Sequence, residues 1–289
     1  MTTKPVTTAS LGENFEEQMN QFEAIAHPTP GTEKKIIWAR PNKVKTATSF
    51  VYLHGWSASR QEISPTVERV AKKLEANAFF TRLTGHGLGP EGFRQITTEK
   101  LLSDAEEALQ VGQKIGEKVV LVGMSTGASL SLYLAHQHPE SVAALVLISP
   151  NFRPRRLDSL LLRGPLGPLF SWFVMGNEYQ FIPVNELNAK FWTTKYPSRA
   201  LSTMMSLVDG VARQGLRDIT IPTLFIYSEN DQVVSVDLIK ENFNKLGSPN
   251  KKIIEISSAP HVLAGDILSP STTEKVVEEM QIFLNQALH

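Results

Sequence analysis

The stretch Val119–Leu130, VVLVGMSTGASL, decides the fold. A β-branched apolar run stops at Ser125, with glycine two residues before and two after, and a helix-like pattern follows. This spacing predicts a sharp strand-to-helix turn, because the apex residue of such a turn is strained and only small neighbours fit where strand and helix pass closest. Gly123, Gly127 and Ala128 supply those neighbours. The turn exposes the Ser125 hydroxyl beyond the strand's carboxyl end and aims the amide of Thr126 at the same point. Ser125 is then either a nucleophile or an ordinary turn serine, and the surrounding sequence must decide.

Working outward, β-rich runs at 34–40, 49–55, 78–85, 118–125, 144–150, 222–231 and 251–257 alternate with amphipathic stretches. Most of these runs are continuously apolar, which suits strands buried on both faces of a mainly parallel sheet. Between them, Val67, Val70, Ala71 and Leu74 share a helical stripe, as do Leu101, Leu102, Ala105, Ala108 and Leu109. A last helix carries Val276, Val277, Met280, Phe283 and Leu284 on one face, with Ser271 and Glu274 spaced as a capping box. The expected class is α/β, with helices on both faces of the sheet.

One segment breaks the alternation. Residues 151–220 contain no convincing central strand and hold nine of the 23 aromatic residues. They read as a helical insertion, either with a core of its own or with Phe170, Trp172, Phe173, Phe191 and Trp192 lining an apolar pocket. The expected organisation is an N-terminal extension at 1–32, a core at 33–150 and 221–289, and the insertion between.

Composition narrows the function. Twenty-nine basic and 29 acidic residues give a net charge of zero, without the electrostatic footprint of a nucleic-acid or anionic-membrane binder. A small or neutral partner is expected. The absence of cysteine removes disulfides, thiolate catalysis and cysteine-bound zinc. The histidines form no H-x-x-x-H pair and lack acidic partners at ligand spacing, so neither a metal nor a cofactor is expected. The N-terminal stretch has no apolar signal-like region, and Leu160–Gly176 is interrupted by Arg163 and Gly/Pro pairs. A cytoplasmic protein without an integral membrane segment is therefore expected.

A serine hydroxyl needs a base, and the base an orienting acid. His261, in SSAPHVLAGD, follows the last strand, and Asp231, in YSENDQVV, follows the strand before it, so both emerge with Ser125 at the carboxyl edge of the sheet. Glu229 is the competing acid. A second oxyanion donor is available in the Trp56 amide, in the loop after the early strand YLHG. His54 and His86 read as structural histidines, Asp266 as a cap or buttress of the histidine loop, and His136 and His138 as a favourable helix end.

At this point the chain resembles the α/β-hydrolase family from about residue 33 onward. Five elements carry the likeness in order: LHGWSAS, RLTGHGLG, GMSTGA, SENDQVV and PHVLAGD. It is most similar to the monoacylglycerol lipase, carboxylesterase and lysophospholipase branch, which is grouped with serine aminopeptidases. The resemblance implies Ser125 as nucleophile, His261 as general base and then acid, and Asp231 as its orienting acid. It further implies Trp56 and Thr126 amides as the oxyanion hole and residues 151–220 as a lid or cap. The expected substrate is a small ester with an apolar acyl group, such as a monoacylglycerol or lysophospholipid. An aminopeptidase or amidase of the same fold, with Glu178, Glu186 or Asp209 holding an ammonium group, and a non-catalytic small-ligand receptor both stay open.

Overall fold

The computed structural model describes residues 14–155, 167, 169, 176–257 and 260–288. Seven strands form one sheet: β1 (Lys35–Ile37), β2 (Thr46–Leu53), β3 (Asn77–Phe80), β4 (Gly116–Met124), β5 (Val142–Ile148), β8 (Thr223–Tyr227) and β9 (Lys251–Glu255). Two further short strands, β6 (Glu178–Gln180) and β7 (Lys195–Pro197), pair with each other outside it. The sheet order is β1-β3-β2-β4-β5-β8-β9, and only the β1–β3 pair is antiparallel.

Alternation along the strands divides the interior into two layers. Val51, Leu121, Leu145 and Leu147 face α4 (Thr98–Ile115) and α5 (Thr126–Gln137). Phe50, Val120, Val122 and Val146 face α2 (Thr66–Lys73) and α9 (Pro270–Ala287). Both faces of the central strands are buried, which explains their continuously apolar sequences.

All seven expected strands lie in this sheet, with shifted ends. The run expected at 78–85 leaves the sheet after Phe80: the Thr81 amide still reaches the Tyr52 carbonyl at 3.1 Å, and the chain then turns into its glycine-rich loop. The run at 222–231 ends at Tyr227, which leaves Asp231 in a turn where its amide donates to the Ser228 carbonyl. The capping box is a correction. Helix α9 begins at Pro270 after Ser269, and Glu274 instead pairs with Arg69 across to α2. Proline already fixes the first turn, so no reciprocal side-chain cap is needed there.

Between β5 and β8 the described residues form the β6–β7 pair, α6 (Glu186–Phe191) and α7 (Arg199–Ala212). Met205 and Leu207 of α7 are fully buried in the same layer as α4 and α5, so this part of the insertion shares the main core. Phe170, Trp172 and Phe173 lie outside the described residues. Among the described residues no helix is long and apolar enough to cross a membrane.

The N-terminal extension is fastened through α1 (Phe15–Ala26). Glu23 makes a two-point ion pair with Arg82, at 2.7 and 2.8 Å, with both side chains buried. Neutralising one partner of a buried pair leaves the other charge stranded. Glu23→Gln is expected to lower unfolding free energy by about 3–5 kcal/mol, whereas Arg40→Ala, which breaks an exposed pair with Glu75, changes it by less than ~1 kcal/mol. Chemical denaturation of the two variants checks this, and equal effects would contradict it.

Candidate active site

The site is built on the junction of β4 and α5. Ser125 has φ 54° and ψ −113°, a strained conformation for a residue with a side chain. Its amide donates to the Ile148 carbonyl at 2.9 Å and its carbonyl accepts from Asn151 at 3.1 Å, so the apex is tied to the end of β5. A β-carbon on Gly123 would sit 2.5 Å from the Gly127 carbonyl, and one on Gly127 would overlap the Leu53 carbonyl. Small residues are therefore obligatory at both positions.

Two backbone amides are the expected oxyanion donors. Thr126 opens α5, so its amide has no acceptor within the helix. The Trp56 amide lies in the loop after β2, and among the described residues neither amide is taken by another acceptor. That loop is held from several sides. His54 Nε2 accepts the Leu83 amide at 3.2 Å while Nδ1 faces the Gly55 carbonyl at 2.9 Å. His86 Nε2 accepts the Ser57 amide at 3.1 Å, with Nδ1 facing the Thr84 carbonyl. Both rings must be neutral to accept, and burial pushes His54 down to about 4 and His86 well below the ordinary range. The expected structural role of these histidines is what the hydrogen bonds describe. The Trp56 side chain packs edge-on against His86, Phe93 and Tyr196.

Asp231 and His261 meet on the same sheet edge. His261 Nδ1 lies 2.7 Å from Asp231 Oδ2, with the carboxylate fully buried. Asp231 Oδ1 accepts the amides of Val233 at 2.7 Å and Val234 at 3.0 Å. Burial pushes this carboxyl up, but the His261 hydrogen bond and charge and the two amides hold it below its ordinary value. The His261 carbonyl accepts the Ser149 hydroxyl at 2.7 Å, which anchors the histidine loop to the strand end that also carries the Ser125 amide.

The competing groups lie elsewhere. Glu229 is exposed and paired with Lys240, with the Tyr227 hydroxyl at 3.1 Å. Asp266 bonds through its backbone to the Ser64 carbonyl, and His138 faces Glu106 at 2.8 Å. Phe191 and Trp192 line a cavity of about 210 Å³ together with Thr32, Gly87 and Pro90. Among the described residues no cluster of three His, Cys, Asp or Glu side chains is placed to hold a metal ion.

Ser149, Arg155 and Glu62 were not signalled by the sequence. Ser149 (φ 43°) and Arg155, whose Nη1 donates to the Asp231 carbonyl at 2.7 Å, act through backbone groups, which no motif records. Glu62 is a buried acid in a loop of ordinary polar composition.

A mainly parallel sheet with a strained serine at its central strand-to-helix turn is the architecture of an α/β-hydrolase. The chain belongs to the family described as serine aminopeptidase, S33, which matches residues 45–267. Among curated proteins it is 25% identical over 229 residues to the thermostable monoacylglycerol lipase of Bacillus sp. (strain H-257), covering 78% of this chain and 87% of that one. Among solved structures it resembles one of the metagenome-derived lipolytic enzymes LipS and LipT, with a TM-score of 0.76 and 21% identity over 90% of this chain and 99% of that one. It also resembles a soluble variant of monoglyceride lipase from Saccharomyces cerevisiae, with a TM-score of 0.67 and 12% identity over 88% and 91% of the two chains. The resemblance to the monoacylglycerol lipase and esterase branch, drawn from five motifs, is thus upheld.

The buried histidines carry a pH prediction. The unfolded chain protonates His54 near 6.5 and the folded one only near 4, so the stabilising neutral form is fully present above 6.5 and its contribution is lost as pH falls towards 4. The stability difference between wild type and His54→Gln is expected to shrink by roughly 1.4 kcal/mol per pH unit over that window. Denaturant titrations at pH 4 to 7.5 measure it, and a constant difference would refute a neutral buried His54.

Proposed function

We propose that the protein is a serine hydrolase that cleaves carboxylic esters of apolar acyl groups, monoacylglycerols or lysophospholipids among them, through an acyl-enzyme on Ser125. The observation that carries this reading is the 2.7 Å His261–Asp231 hydrogen bond, anchored through Ser149 to the strand end that also holds the strained serine.

In this mechanism His261 takes the Ser125 proton as the hydroxyl oxygen attacks the ester carbonyl. Asp231 stays ionised and stabilises the imidazolium. The Trp56 and Thr126 amides receive the oxyanion of the tetrahedral intermediate. The alcohol departs with the proton held by His261, leaving the acyl group on Ser125. Water then loses a proton to His261, attacks the acyl carbonyl, and Ser125 recovers its proton as the carboxylic acid leaves.

The aromatic cluster of Trp56, Phe93 and Tyr196 beside the oxyanion loop supports an apolar acyl group. The reading assigns residues 151–220 as a cap, with Phe191 and Trp192 on the acyl side. The lipase names of its relatives point the same way. An aminopeptidase reading needs a free carboxylate for the substrate's ammonium. Glu178 is paired with Lys195 at 2.6 Å, Glu186 lies at the start of α6, and Asp209 is buried within α7. The pairing of Glu178 and the burial of Asp209 favour the ester reading.

p-Nitrophenyl esters of graded chain length, an aminoacyl arylamide and a fluorophosphonate probe test it. Wild type is expected to hydrolyse the esters with a maximum at one chain length and to label at Ser125, and Ser125→Ala to lose roughly 10³-fold or more of the turnover. Cleavage of the arylamide alone would replace the ester reading with the aminopeptidase one. Failure of Ser125 to label would point to a receptor.

A further inference from the structure

We propose that Thr193 of the insertion is a positioning residue of this site: its backbone amide is the outer end of a chain of peptide hydrogen bonds that aligns and polarises the Trp56 amide. The proposal rests on the serine hydrolase reading above, and ties its oxyanion donor to the seating of the insertion.

The chain begins where α6 stops. The Trp192 amide still donates to the Asn188 carbonyl, but Trp192 itself is extended, with φ −115° and ψ 146°. The next amide, that of Thr193, therefore leaves the helix and donates to the Ser57 carbonyl at 2.7 Å. That carbonyl belongs to the peptide whose N–H is Ala58, and the Ala58 amide donates to the Gly55 carbonyl at 3.3 Å. The Gly55 carbonyl in turn belongs to the peptide whose N–H is Trp56. In a trans peptide the C=O and N–H point in opposite directions, so a bond made at the carbonyl fixes where the amide across the plane is aimed. Two successive peptides thus connect the Thr193 amide to the Trp56 amide, which among the described residues no other acceptor takes. Hydrogen bonds in such a chain also polarise one another, by about 10–30% per bond.

The turn closed by this chain, Gly55–Ala58, is not favoured by its own sequence. Ser57 occupies the third position with φ 62°, where a type II turn ordinarily has glycine. Two bonds hold the serine there: its amide donates to His86 Nε2 at 3.1 Å, and its carbonyl accepts from Thr193. On the near side, His54 accepts the Leu83 amide at Nε2, so its proton sits on Nδ1 and is donated to the Gly55 carbonyl at 2.9 Å. Glu62 accepts the Gly55 amide at 2.7 Å. These partners come from the loops after β2 and β3, and the Thr193 amide is the insertion's own contribution. Tyr196, three residues on, packs against the Trp56 ring with centroids 6.2 Å apart. A bond placed behind the oxyanion donor acts on charge that develops only in the transition state, so its effect falls on kcat and not on KM.

Thr193→Pro removes this amide hydrogen, and the extended Trp192 before it already has the conformation that a residue preceding proline adopts. With a p-nitrophenyl ester, kcat and kcat/KM are expected to fall together by about 10-fold to 100-fold, with KM within about two-fold of wild type. The inhibition constant of an alkyl trifluoromethyl ketone, whose adduct with Ser125 carries an oxyanion, is expected to rise by the factor by which kcat/KM falls. An unchanged kcat, or a loss confined to KM, would overturn the proposal, because the insertion then acts on substrate binding alone. If Thr193→Pro does not fold, replacing the Thr193 amide with an ester, by incorporating the matching α-hydroxy acid, deletes the same N–H and is read in the same way. NMR gives a measurement free of substrate: the amide proton resonances of Ala58 and Trp56 are expected to move upfield in the variant, and a Trp56 resonance that stays in place refutes the relay. A wild type that neither labels with the fluorophosphonate nor hydrolyses any ester, while those resonances still move, would defeat the hydrolase reading and leave the relay standing.

Discussion

The carbonyl of Leu53 lies so close to Gly127 that no side chain fits between them, and the arrangement of the site follows from that approach. Helix α5 is pressed onto the end of β2 at its first turn, while Leu53 and Gly123 pair across β2 and β4. The chain has room for only one residue between strand and helix, and Ser125 takes up the strain with a positive φ. Because β2 ends at the same place, its continuing loop is brought to the serine by the same contact. The serine turn and the position of the loop after β2 are two consequences of one packing requirement.

A polar scaffold then fixes loops that apolar packing alone leaves free. His54, His86 and Glu62 are all buried; the two histidines each bond to backbone in both the 54–57 and 83–86 loops, and Glu62 accepts the Gly55 amide. Each adopts a protonation balance displaced from its ordinary one, in the direction that burial dictates. For Glu62, ionisation in the fold is disfavoured by roughly 3 kcal/mol relative to an exposed carboxyl. A fold that needed only stability at this point is better served by an apolar side chain. The retained polar groups instead specify where backbone amides point, which is the quantity that oxyanion stabilisation depends on.

The strands were legible in the sequence because burial on both faces leaves an unmistakable apolar run, and the glycines at 123 and 127 are forced by sterics that leave no room for a side chain. The seven strands accordingly appear in one sheet, and the residues placed at strand ends, Asp231 and His261, meet there. Less legible was anything that depends on a hydrogen bond between distant segments. The ends of β3 and β8 are set by turns in the following loops, and Glu274 leaves its helix terminus for Arg69, 205 residues away in sequence. Glu62 gives no signal for the same reason: in sequence it is one acid among Ser59-Arg60-Gln61, and its burial comes from loops contributed by β2 and by residues 261–266.

The segment between β5 and β8 meets the candidate site at two places, near its start and midway along it. Where it leaves β5, Pro154 bridges to Val234, the Arg155 amide donates to Val233, and the Arg155 guanidinium donates to the Asp231 carbonyl. Midway along it, the Thr193 amide donates to the Ser57 carbonyl at 2.7 Å, and Tyr196 packs on Trp56 and Phe93. One contact therefore braces the loop of Asp231, and the other braces the loop of Trp56. Displacing either breaks bonds to the backbone of these two loops. A segment that only covered an apolar surface has no need of these polar ties. With them, the placement of the segment and the positions of the Asp231 and Trp56 loops are set by the same hydrogen bonds.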